Sequence, residues 1–328
     1  MRLPSMLALL CSAVPALAQN WYIPDNVAAG GGCNVIPFGQ NVGGPFYQVR
    51  YQQRCTAAEL GATVNVITGL GFAPCQSGRA HYDSLEIVLD HIPSSQAMNA
   101  TFASNLTPNA VTVLLATNYT WNVTVSTWNE VGLQVPFVYN GTDDLVVQIT
   151  TVNGTAPLQG MHTGNHQRLW WIAPSGTPAP TGTFDNAAQK IEVSMLTAHT
   201  SSHGDGCPGS NGTPRLSFSG SSQLGQTLSI DLVNGVPFGV SLVIFGTTNS
   251  LPFPLELSFL GMPSCFLYTD MIVTDVAFHG PTGAGSFVLP VPGSLFGAPV
   301  YTQFGCLDPA ANPFGFTTSN YGRIFVGF

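Results

Sequence analysis

The chain has 328 residues, of which 45% are hydrophobic and only 7% charged, with eight Lys and Arg against sixteen Asp and Glu. A formal net charge of −8 argues against nucleic acid, whose phosphates require clustered cations, and against an electrostatic grip on anionic membranes. Hydrophobic content this high with so few charges is the opposite of a disordered composition.

In chain order, the first 18 residues have the three parts of a secretory signal. Arg2 is the positive start, MLALLCSAV the apolar run, and Ala16-Leu17-Ala18 the small-residue cleavage site before Gln19. The run is too short to span a bilayer, which takes roughly 20 residues. Leu10 stands before Cys11 where a lipobox has a small residue. The mature chain is therefore expected to be secreted, extracellular or at the cell surface, with no membrane insertion.

Strand-like segments then recur: TVNVITGLGF, SLEIVLDHI, AVTVLLA, YTWNVTVS, LVVQITTV and KIEVSML, followed by RLSFSG, QTLSIDLVN, GVSLVIFG, PLELSFL, FLYTDMIVTDVAF, GSFVLPV and YGRIFVGF. Each is short, rich in β-branched and aromatic residues, and bounded by Gly, Pro, Asn or Ser. In SLEIVLDH the alternation puts Leu85, Ile87 and Leu89 on a core face and Glu86 and Asp90 opposite. ELGAT, residues 59–63, is the one expected helical turn. Two stretches break the pattern, PSGTPAPTGTFDN at 174–186 and SSHGDGCPGSNGTP at 201–214. About 310 mature residues suit two domains. The expected architecture is all-β: two antiparallel β-sandwich, jelly-roll-like domains in tandem, 19–200 and 201–328.

The sequence contains no G-x-S-x-G, H-E-x-x-H, P-loop or Rossmann signature. The densest candidate site is MHTGNHQRLWW, residues 161–171. His162 and His166 lie at a spacing that suits a transition metal, with Arg168 beside them and Trp170 and Trp171 able to stack on a sugar. A polar loop entering a strand accounts for the same residues. His199, His203 and Asp205 form a second, weaker group. No cofactor is required, but a structural calcium fits an acidic exported chain, with Asp25, Asp83, Asp143 and Asp144 as oxygen ligands. Asp143 and Asp144 equally suit a turn before LVVQI. Asn-x-Thr triplets are frequent, as an Asn- and Thr-rich surface yields by composition.

The second half, with GCPGSNGTPRLSFSG, LGQTLSIDLVN, LELSFLGMPSC, FVLPVP and DPAANPFGFTTSN, resembles a C-terminal module of secreted proteins of planctomycete-type bacteria. The first half, with IPDN, CNVIPFG, SLEIVLDH, TFASNL and TWNEVGLQVPFVYNGTDDLVVQI, resembles a module that precedes it and also jelly-roll modules of bacterial adhesins. The resemblance covers nearly all of the mature chain and implies architecture, without catalytic residues to carry across. Six cysteines remain beyond Cys11, an even number that implies disulfides in an exported chain but allows 15 pairings. The resemblance marks Cys33, Cys75, Cys207 and Cys265 as usual positions. It implies Cys33–Cys75 and Cys207–Cys265 and leaves Cys55–Cys306 as an inter-module bond. The expected function is non-catalytic binding of an extracellular glycan, cell surface or partner. The alternative is a secreted hydrolase or lyase on polysaccharide, with its site in the first module or the inter-module cleft.

Overall fold

The computed structural model describes residues 18–38, 48–154, 160–162, 164 and 166–328, with the side chains of 161 and 162 not included. The expected leader, apart from Ala18, lies outside the described residues. The strand pairings are antiparallel throughout. No helix among the described residues is long and apolar enough to cross a membrane.

One sheet of 11 strands organises the molecule. Its order is Thr183–Asp185, Arg168–Ala173, Gln48–Cys55, Asp144–Val152, Gly78–Ile92, Val111–Val123, His199–His203, Phe316–Phe325, Pro299–Leu307, Val240–Gly246 and Val273–Phe278. Facing one half of it is a five-stranded sheet built on Asn65–Phe72 and Ile191–Met195. Near the other half is a three-stranded sheet of Arg215–Gly220, Thr227–Val233 and Gly285–Pro290.

Period-two alternation fills the space between these sheets. Leu70, Phe72, Ile191 and Val193 meet Tyr51, Leu85, Ile87 and Ile149 in a first core drawn wholly from residues 23–195. Leu216, Ile230 and Leu232 meet Val243, Phe304 and Ile324 in a second, drawn from residues 216–326. The expected inward residues of SLEIVLDH are buried, but so is Asp90, on the opposite parity. Its carboxylate accepts hydrogen bonds from the Thr107 backbone N–H and hydroxyl, which removes the penalty of burying a bare charge.

The strand His199–His203 carries the long sheet from the first core to the second. It pairs along its length with Phe316–Phe325 and touches Val111–Val123 where His203 faces Trp121. Residue 200, the expected division, falls inside it.

Two disulfides are formed, Cys33–Cys75 with Cα atoms 6.1 Å apart and Cys207–Cys265 with Cα atoms 4.8 Å apart. The Cys55–Cys306 bond is not: both thiols are free and buried. Cys55 packs in the first core and Cys306 in the second. The 144–152, 78–92, 111–123, 199–203 and 316–325 strands separate theirs in the sheet. At about 4.8 Å per strand that is on the order of 25–30 Å, against the limit of about 7 Å for a disulfide. Burial pushes the Cys55 thiol up to about 12 and the Cys306 thiol to about 11, so both are inert.

Candidate functional site

An open cleft with a volume near 470 Å³ lies where the two cores adjoin. Arg79 and Asn122 reach it from the paired strands Gly78–Ile92 and Val111–Val123, where they stand opposite each other. Asp205 follows the crossover strand. Arg215, Phe266 and Asn320 come from the second half.

Each wall is fixed by local chemistry. Gly204, at φ +76°, and Gly206 flank Asp205; a side chain at Gly204 would meet the Tyr268 ring at 2.6 Å, and one at Gly206 the Pro214 carbonyl at 2.4 Å. Only glycine lets the chain pass this close to its neighbours. The Asp205 N–H donates to the Tyr268 hydroxyl at 2.9 Å, and that hydroxyl donates back to the Asp205 carbonyl at 3.1 Å. Arg79 grips the Asp205 carboxylate with two donors, Nε at 3.0 Å and the second guanidinium nitrogen closer still. The Thr120 hydroxyl adds a third bond at 2.9 Å. Burial would raise the Asp205 carboxyl, but the hydrogen bonds from Arg79 and Thr120 and the Arg79 charge prevail and hold it below the usual carboxylate range. Asn320 is clamped to both backbone groups of Leu216. The Cys207–Cys265 bond ties the Pro208 wall to the Ser264 and Phe266 wall. Inside this frame the side chains of Asn122 and Arg215 are exposed and make no hydrogen bond to the described residues.

Of the residues singled out in the sequence, Asp205 lines this cleft, and the 161–171 group and the four aspartates sit elsewhere. His162 pairs through its backbone with Gly32, and its side chain lies outside the described residues. His166 bonds Glu59 through Nε2 at 2.5 Å. Arg168 is buried and makes a two-point bond to Asp185 at 2.7 and 2.9 Å, and Trp170 Nε1 donates to the same carboxylate at 2.8 Å. Trp170 and Trp171 are half-buried, the first against the main core and the second in a small cluster with Phe102 and Leu169. Arg168 and Trp170 thus share Asp185, while His166 is paired separately with Glu59.

The four expected calcium ligands are not gathered. Asp25 pairs with Lys190, Asp83 with Asn153, and Asp143 with Asn140. Asp144 accepts from Arg54, the Ala57 N–H and the Ser94 hydroxyl. Among the described residues no group of three or more His, Cys, Asp or Glu side chains is placed to hold a metal.

A second polar group lies between the cores. Buried Arg323 donates to His199 Nε2 at 2.6 Å and to the Thr68 carbonyl at 3.1 Å. His199 Nδ1 in turn donates to the Thr197 carbonyl. Tyr119 donates to the Val131 carbonyl, so His203 Nδ1 must donate to Tyr119, leaving its Nε2 to accept from Ser201. Burial first, then the Arg323 charge, pushes both imidazoles down to about 3 and keeps them neutral. On the neighbouring sheet, Glu130 and Glu192 flank Gly71 in register. Burial first, then the charge of Glu130, lifts the Glu192 carboxyl to about 7. Sequence reasoning passed over both glutamates, although TGLGF, with two glycines spaced for one face of a strand, was a visible sign of room kept for neighbours. A side chain at Gly69 would meet Glu130 at 2.3 Å, and one at Gly71 would meet Glu192 at 2.5 Å.

The sequence matches no family model, and no match is found among curated proteins. A solved structure of Bifidobacterium dentium β-glucuronidase complexed with coumarin-3-O-glucuronide aligns at 9% identity and a TM-score of 0.19, over 90% of this chain and 45% of that one. The chain thus spans less than half of that protein's length, and a likeness this slight carries no argument about fold or function.

Proposed function

We propose that this is an exported, non-catalytic β-protein that binds an extracellular glycan in the cleft between two sandwich-like modules, 19–200 and 201–328. The observation that carries the reading is the cleft itself. Its volume near 470 Å³ is of ligand-site size, and it combines an unengaged amide, an unengaged guanidinium and an aromatic ring on rigid walls. Amides and guanidinium groups match sugar hydroxyls, and a ring edge matches the apolar face of a pyranose. The two separate apolar cores support the modular division, and the leader-like start and paired cysteines support export.

Binding is favoured over hydrolysis by the titratable groups in the cleft. Asp205 is the one carboxylate among the described lining residues, and Arg79 holds it ionised. Glycoside hydrolysis takes two carboxyl groups, one of them with a raised pKa to act as the acid. Glu192, the carboxyl that does titrate near 7, is not a lining residue of this cleft. The test is a panel of oligosaccharides titrated against the intact protein by calorimetry, with reducing ends assayed in parallel. Binding without release of reducing ends, weakened by Asn122→Ala, is expected. Absence of binding across the panel, or steady release of reducing ends, would overturn the reading.

A further inference from the structure

We infer that the ligand of this cleft is acidic: a saccharide carrying isolated carboxylate or sulfate groups, one of which is held by Arg215. The inference rests on the glycan-binding reading above and deepens it to a substrate class.

The argument starts from how few cations the chain has and how they are used. Seven basic residues lie beyond the leader. Arg54, Arg79, Arg168 and Lys190 are each paired with an aspartate. Arg50 donates twice to Gln148 and lies over the Phe102 ring. Arg323 is buried against His199 and Thr68. Arg215 alone among the described basic residues has no hydrogen-bonding, ionic or aromatic partner, and it is exposed on the cleft wall. An arginine held by nothing else presents its full fork of donors, which matches the two oxygens of a carboxylate or sulfate.

The local charge agrees. Two guanidinium groups and one carboxylate line the cleft, and the carboxylate is already taken up by Arg79. The remaining charge is one positive unit, on a chain whose formal net charge is −8. An anion therefore finds a favourable potential here against an unfavourable background. The same background disfavours a dense polyanion, which needs many phosphates neutralised at once. A polysaccharide with one acidic group every few sugars satisfies both conditions.

The experiment is calorimetric titration of the intact protein with a mostly methyl-esterified oligogalacturonide retaining one free carboxylate every few sugars, its fully methyl-esterified counterpart and a sparsely sulfated galacto-oligosaccharide, repeated for Arg215→Ala and Arg215→Lys. The Arg215 side chain has no partner among the described residues, so both variants should retain a thermal transition close to that of the unaltered protein. We expect an acidic ligand to bind about tenfold or more tightly than the methyl ester, the increment typical of a charged hydrogen bond, and to weaken as salt is raised. Arg215→Ala should remove that preference, bringing the acidic ligand and its methyl ester to similar affinities, with Arg215→Lys between. Tighter binding of the uronide assigns a carboxylate, and tighter binding of the sulfated ligand assigns a sulfate. Equal affinity of the unaltered protein for acidic and neutral forms, or a preference for the acidic form that survives Arg215→Ala, would sink this inference while leaving glycan binding in place. If no saccharide binds, the broader reading falls and takes this one with it.

Discussion

At the scale of single residues, the chain uses most of its scarce charges on itself. Arg168 is only 3% exposed and depends on Asp185 to balance its guanidinium. Removing one partner of such a pair strands a buried charge, which costs about 3–5 kcal/mol. Asp185→Ala is therefore expected to lower unfolding free energy by about that amount in urea titration. Arg168 was conspicuous in the sequence because it stood between two histidines and two tryptophans. Its role was not, because Asp185 lies in PSGTPAPTGTFDN, which reads as a turn-rich interruption. In the fold three of those residues, Thr183–Asp185, pair with the Arg168 strand. Arg215 was equally hard to see, since being unpaired is a property only of the folded surroundings.

At the scale of elements, periodicity located the strands well and their ends poorly. AVTVLLA and YTWNVTVS look like two segments, yet Val111–Val123 is one strand. The apparent break corresponds to Asn118, at φ +49°, where the ladder steps from Thr117 to Tyr119. Conversely FLYTDMIVTDVAF is two strands, Phe266–Leu267 and Val273–Phe278. The GDG turn shows how an element end shapes the cleft. A methyl group on Gly206 would meet two backbone carbonyls, Pro214 at 2.4 Å and Thr318 at 3.0 Å, neither of which can swing aside. Gly206→Ala should cost about 1–3 kcal/mol of stability, as overpacking does, and should weaken glycan binding by displacing Asp205. Gly293→Ala, with nothing within 4 Å of the added methyl, should do neither. Thermal melts of the two variants side by side check this.

For the molecule as a whole, buried carboxyls and buried imidazoles pull the pH dependence of stability in opposite directions. Glu192 releases its proton near 4.5 when unfolded but near 7 when folded. Between those values Glu192 is protonated in the native state and ionised in the unfolded chain, so its own contribution to stability falls as pH rises from about 4.5 to about 7. Asp144, Asp185 and Asp205 act the other way. Each is held below the usual aspartate value of 3.8, so stability is lost as pH falls through that range. His199 and His203 add stability as pH rises from about 3 to about 6.5, because they stay neutral when folded but protonate when unfolded. Two imidazoles outweigh one carboxyl, so stability is expected to rise to a plateau near pH 7. Glu192→Gln removes the group that opposes this, and should steepen the rise between about pH 4.5 and 6.5 and raise the melting temperature at pH 8. An unchanged slope in that variant would show that Glu192 is not the opposing group. The sequence by itself determined the all-β class, the antiparallel habit of the strands and the sparse charge, because composition and period-two alternation act locally. Only the tertiary structure decided that one long sheet joins both cores, that Cys55 and Cys306 stay apart, and which cation is left without a partner. Those outcomes depend on which distant strands become neighbours, and strands of similar pattern carry no local mark of the partner they will take.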